Sequence, residues 1–396
     1  MAGRLRAGTV LTAGLLAVAA CGSAPPSGGR GPAARQVTRA WLEGVTATPG
    51  GNAWAVGSFR YANDDLPLIE HWDGRRWTVA RTNLDLQADS DTGLAGVAAT
   101  SAANVLAAGW MSTQYGFAVV DRWDGAAWKE DQTPYAGCCF SAASLSGVAA
   151  ASRANAWAVG DKYTPGDRTL ILRWNPRARM WVQVPSPNPG RAGRGGAATS
   201  TLNGVAVRTV TDAWAVGGAS SGPSGQWNTL IEHWDGTSWT VVPSPDPSRA
   251  GCVRDDLSGV AATNAATWAV GDYCGAALTL RLDDGQWQHV PAPSPPAGTS
   301  EHLASVAVTS AADAWAVGRI GSRILILHWN GTTWATAAAP NPAGATTASL
   351  ASVTATSPSI AWAVGQADYP HHVTKLLIER WDGTKWTLVP VPNPAP

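Results

Sequence analysis

From Trp41 onward, apolar residues gather in short runs, four to a unit, separated by Gly, Pro, Asp and Ser. One unit is Leu202 to Pro245, and it returns seven times. Its Leu-x-Gly-Val run predicts strand A, Ala-Trp-Ala-Val-Gly strand B, Leu-Ile-Glu-His-Trp strand C and Trp-Thr-Val-Val strand D. The glycine closing the second run falls at Gly57, Gly109, Gly160, Gly217, Gly271, Gly318 and Gly365, a spacing of 47 to 57 residues. No segment sustains a 3.6-residue period, which excludes helical bundles and helical solenoids.

Four short strands per unit at this spacing predict propeller blades. The expected fold is all-β, a single seven-bladed β-propeller with four antiparallel strands per blade. The blades are expected at 41–81, 93–133, 144–186, 201–244, 256–291, 302–339 and 349–396. Closure removes the terminal strand edges that an open stack would leave unpaired. No strand is expected to swap between the first and last blades, with Val37 to Arg39 a candidate extra edge contact.

Asp-Gly between strands C and D, as in Asp73-Gly74, predicts a tight hairpin, because Asp folds back on its own backbone and Gly accepts positive φ. The flanking Trp72 and Trp77 then pair across the strands. The turn also accounts for Asp73, Asp124, Asp235 and Asp382 without a metal. His71, His233 and His328 share the position before the strand C Trp with Arg122, Arg173 and Arg380. That exchange marks a structural or solvent-facing site. His371-His372 lacks partner ligands at metal-site spacing, and His289 and His302 are isolated. No metal and no cofactor are expected.

Formal charge is zero, from 28 basic and 28 acidic residues, so no global field draws nucleic acid. The 22 Trp imply one structural position reused many times. Residues 1–20 combine a basic start (Arg4, Arg6) with an apolar run from Val10 to Val18, which reads as an export signal. Val18-Ala19-Ala20-Cys21-Gly22 resembles the bacterial lipobox. The resemblance implies cleavage before a lipidated Cys21, a flexible tether over 21–40, and anchoring at the outer face of the cytoplasmic membrane.

The glycine at the end of strand B and the aromatic-flanked C–D hairpin resemble kelch-like and galactose-oxidase-like propellers over 41–396. The likeness implies the fold and brings no activity. A copper site of that kind needs a tyrosine crosslinked to cysteine and two histidines, and no such set is matched here. No phosphate-binding glycine loop occurs, and the G-x-S-x-G match at Gly218 to Gly222 follows strand B with no helix after it, so it is not the strand-to-helix elbow of a hydrolase.

The first expectation is a monomeric binding scaffold for a protein, peptide or cell-wall glycan. The alternatives are a hydrolase, lyase or oxidase with its site on the axis, or a structural component of an envelope complex. Strand direction puts the variable B–C and D–A connections on one face, and variable loops on a rigid scaffold favour binding there. The candidates are Phe59, Tyr61, Trp110, Tyr115, Tyr135, Phe140, Tyr163, Trp227, Tyr273 and Tyr369. The A–B and C–D turns are expected to be short and uniform. In an exported chain Cys252 and Cys274 approach one end of the fifth blade, predicting a disulfide. Cys138 and Cys139 are left either as a vicinal pair or as thiols.

Overall fold

The structure is a computed structural model describing residues 37, 39–82, 91–112, 116–134, 142–164, 166–190, 198–221, 226–245, 247, 254–392 and 394. The signal segment, Cys21, Tyr115, Tyr135, Phe140, Cys138, Cys139 and Cys252 lie outside the described residues. The compact unit runs from Gln36 to Pro396.

Its 28 described strands form seven antiparallel blades of four sequential strands. The innermost strands are Arg39–Ala47, Asp91–Ser101, Ala143–Ser152, Ser200–Thr209, Asp255–Ala262, Glu301–Ser310 and Thr347–Ser357. Each contacts the strand A of both neighbouring blades, and the first contacts the last, so the ring is closed. Closure uses no exchanged strand. One apolar cluster holds Leu42, Trp72 and Trp77 of the first blade with Trp362, Val364 and Ile378 of the seventh. A single parallel bridge, Arg39 to Thr374, adds the expected edge contact.

Every strand A carries a β-bulge just after its Leu, as between Leu42 and Gly44. The extra residues are Glu43, Ala95, Ser146, Asn203, Ser258, Ala304 and Ala351. The bulged segments of all seven blades line an axial channel of 220 Å³. Glu43 reaches channel water, yet strands crowd it on every side, and this desolvation raises its pKa.

The repeated tryptophans join blade to blade. The strand B ring Trp362 lies 5.0 Å from Trp72 and 5.2 Å from Trp77 of the next blade, the latter edge-on. Trp54, Trp157, Trp268 and Trp315 repeat that contact with the strand C and D rings of the following blade. The position before the strand C Trp covers the other side of these indoles. His71 stacks on Trp54 at 3.8 Å, His233 on Trp214 and His328 on Trp315 at 4.1 Å, and Arg173 and Arg380 lie over Trp157 and Trp362. An imidazole and a guanidinium serve equally as a flat lid, which explains the exchange of His with Arg.

The Asp-Gly turns at Asp73, Asp124, Asp235 and Asp382 form as expected. Asp73 Oδ1 accepts from the amides of Arg75 and Arg76 at 2.8 and 2.9 Å, and Gly74 has φ +97°. At Asp235 the Thr237 hydroxyl and two turn amides pull the carboxyl down to about 2.

Strand B departs from expectation. It runs past its glycine, for example from Ala53 to Tyr61, and pairs onward with Asp64–Trp72. The stretch read as a loop from Ser58 to Pro67 is therefore mostly hairpin, turning at Ala62 and Asn63. The glycine is required for close approach. A Cβ at Gly57 would lie 2.0 Å from the Trp41 carbonyl oxygen, so only glycine allows strand B this near the bulged strand.

Candidate functional site at the axial mouth

Beyond each Leu–Gly pair, the inner hairpin places one more cross-strand pair toward the B–C end. These pairs are Trp41 with Ser58, Gly93 with Trp110, Ser144 with Asp161 and Thr201 with Gly218. Asp256 with Asp272, His302 with Arg319, and Ser349 with Gln366 complete the set. The sequence on either side barely changes from blade to blade, whereas these positions vary in size and charge. A scaffold held constant with one variable pair per blade is suited to asymmetric recognition.

Between the second and third blades, Trp110, Ser144, Asp161 and Tyr163 line a cavity of 160 Å³. Asp161 is half-buried, and desolvation raises its pKa against the hydrogen bond it accepts from Ser144 Oγ at 3.0 Å. Tyr163 is 63% exposed, so its ring is presented to solvent.

A charged network spans the fourth to sixth blades. Asn203, which lines the channel, donates through Nδ2 to Asp256 Oδ1 at 3.2 Å, and Arg254 pairs with Asp256 Oδ2 at 3.3 Å. Burial raises the Asp256 pKa more than Arg254 lowers it, and Asp272 adds repulsion. Asp272 meets His302 Nδ1 at 2.7 Å. The two neighbouring carboxylates thus sit in different settings, one desolvated and one held by an imidazole. Among the described residues no group of three or more His, Cys, Asp or Glu is placed to hold a metal.

The aromatic candidates among the described residues separate under this geometry, and they stand on strand ends rather than in loops. Trp110 and Tyr163 are brought together. Phe59 is buried between the first and seventh blades, and Tyr61 packs against the same cluster, so neither presents a free ring. Trp227 lies over Gly218, where a Cβ would fall 1.9 Å from its Nε1, and Arg254 covers it at 5.5 Å. Tyr273 meets His289 edge-on, and Lys375 lies over Tyr369. Cys274 lies at the B–C turn of the fifth blade, and its expected partner, Cys252, lies outside the described residues. Trp41, Asp161, Asp256, Asp272, His302 and Arg319 escaped the sequence reading. Their signal was present as the variable residue following each WAVG glycine and its partner before each strand A Leu.

No family model matches the chain, and no curated protein matches it. Among solved structures, a GH74 xyloglucanase from Xanthomonas campestris is similar at TM-score 0.52 and 15% identity, covering 87% of this chain and 55% of that one. The chain thus spans about half of that enzyme's length. A structure of U3-55K is similar at TM-score 0.50 and 13% identity, covering 83% of this chain and 90% of that one. At these identities the likeness concerns the fold alone, and it agrees with the strand topology that the chain is a β-propeller.

Proposed function

We propose that the chain is an exported lipoprotein whose propeller binds a neutral saccharide at the B–C and D–A end of its axis. The observation that carries this reading is the joint lining of one cavity by Trp110, Asp161 and Tyr163. Rigid rings suit the C–H faces of a pyranose, and carboxylates accept hydrogen bonds from its hydroxyls while repelling anions. Asp272, the partner of Asp256 in the fifth blade's variable pair, adds a further acceptor at the same end of the axis.

Affinity electrophoresis in gels containing mannan, galactan or β-glucan tests the proposal. At least one polymer is expected to retard the wild-type chain. Asp161→Ala and Tyr163→Ala should each weaken retardation about tenfold, roughly the loss of one charged hydrogen bond or one stacking ring. Free migration of the wild type in all three gels rejects the reading.

The unequal surroundings of Asp256, buried beside Arg254, and Asp272, beside His302, favour hydrolysis as a second reading, since acid–base pairs place their two carboxyls in different environments. New reducing ends released from a bound polymer by the wild type, and not by Asp272→Asn, would replace binding with catalysis.

The lipobox resemblance of Val18 to Gly22 supports anchoring through Cys21. The Cys21→Ala protein is expected in the soluble fraction, whereas membrane fractionation identical to wild type rejects the anchor.

A further inference from the structure

One blade interface departs from the repeat twice. The first departure is in strand B of the second blade, where Leu106 stands in place of the Trp found in the other six. The second is in the C–D turn of the third blade, where Trp174 and Trp181 are seven positions apart, against five for Trp72 and Trp77. That longer turn carries Pro176 and Arg179. The longer turn and Trp174 line a cavity of 610 Å³ on the side of the A–B and C–D turns, which was expected to be uniform, while Leu106 is buried in the cluster that packs against Trp174.

The polar lining is mostly satisfied. Arg122, buried and without an indole of its own blade to cover, lies over Trp174 at 4.2 Å and pairs with Asp131 Oδ2 through Nη2 at 2.7 Å. Trp181 Nε1 donates to the same oxygen at 3.1 Å. Lys129 pairs with Asp124. Arg153, in the A–B turn, and Arg179 also line the cavity, and neither guanidinium has an ion-pair or hydrogen-bond partner among the described residues. At five other interfaces a strand B indole sits 4.8 to 5.3 Å from the strand C Trp of the next blade, as Trp315 does from Trp381 and Trp54 from Trp123. Trp174 has the smaller Leu106 opposite and lies half-buried at the cavity wall.

We infer that this cavity is a second ligand site, selective for an anionic saccharide of the uronic acid class. Two unpaired guanidiniums fit a carboxylate, and a flat indole beside them fits a sugar ring. Its charge preference is opposite to that of the axial mouth, and it does not depend on the function proposed there.

Titration calorimetry of the full chain with trigalacturonate, in 0.15 M salt to screen diffuse attraction, tests it. Binding is expected, and Arg153→Ala and Arg179→Gly should each weaken it at least about tenfold. Glycine is the right replacement at Arg179 because φ there is +55°. Leu106→Trp should restore the repeat behind Trp174, displace that indole and weaken binding, while Asp161→Ala at the axial mouth should leave it unchanged. If Leu106→Trp does not fold, the two arginine variants decide. Absence of binding, or affinity unaltered by both arginine changes, overturns the site. Equal affinity for tetraglutamate overturns the saccharide assignment in favour of an acidic peptide.

Discussion

Replacing Glu70 and Glu379 by Leu is expected to stabilise the propeller, and to do so more at pH 8 than at pH 5. Both side chains sit in strand C with no exposed area and no hydrogen-bond partner for either carboxyl oxygen among the described residues. Their equivalents each have a hydroxyl donor to one carboxyl oxygen, although Glu232 Oε1 has none and burial raises that pKa to about 8 as well. Thr82 Oγ1 donates to Asp121 Oδ2 at 2.9 Å, and Ser186 Oγ to Glu232 Oε2 at 3.0 Å. Each donor stands five residues after the strand D Trp of the preceding blade, where Ala339 and Val391 stand before Glu379 and Glu70. Both neighbours pack in the same interfaces as these acids and offer no donor. Burial accordingly raises each pKa from 4.5 to about 8.

The native state then holds protons that the unfolded chain releases above pH 4.5. Stability must fall as pH rises from about 5 to about 8, at about 1.4 kcal/mol per pH unit for each group, and level off above. The third, fifth and sixth blades already carry Leu172, Leu280 and Leu327 at this position, so Leu fits the local packing. Melting curves at pH 5 and 8 decide the matter. A double variant that loses stability with pH as steeply as wild type would show that these carboxyls are not the buried acids described.

The same residues show what the sequence concealed. Spacing and turn chemistry revealed the blades, since Asp-Gly and the paired tryptophans form local contacts that need no tertiary knowledge. Glu70 was not legible as buried, because a polar residue at an alternating position usually faces water. Blades bury both faces, one against each neighbour, so alternation there no longer separates inside from outside. The variable pairs at the axial mouth were visible as breaks in a repeat. Their convergence was not, because residues such as Asn203 and Asp256 meet only when different blades do. Leu106 and the long turn before Trp181 were equally visible as exceptions. Only the ring packs Leu106 behind Trp174 at the wall of one cavity.

The glycine of each WAVG element was misread for a physical reason that also gives the largest mutational effect expected. Glycine after an apolar run usually signals a stop. Here the strand continues, and at Gly160 a Cβ would lie 2.0 Å from the Ser144 carbonyl oxygen and 2.9 Å from the Leu145 Cα. Both obstacles are backbone, so no rotamer change relieves them. Strand A cannot retreat either, because its bulge is packed against the neighbouring blades around the axis. Overpacking usually costs about 1–3 kcal/mol where side chains can shift, and a backbone clash in a closed ring should exceed that range. Gly160→Ala is therefore expected to destabilise the protein by more than about 3 kcal/mol, read as a lower urea midpoint. Gly50→Ala is the control, since its nearest neighbour is Thr48 Oγ1 at 3.9 Å, and it should stay within about 0.5 kcal/mol of wild type. Equal midpoints for the two variants would mean that strands A and B do not approach this closely, and the bulged inner hairpin would have to be redrawn.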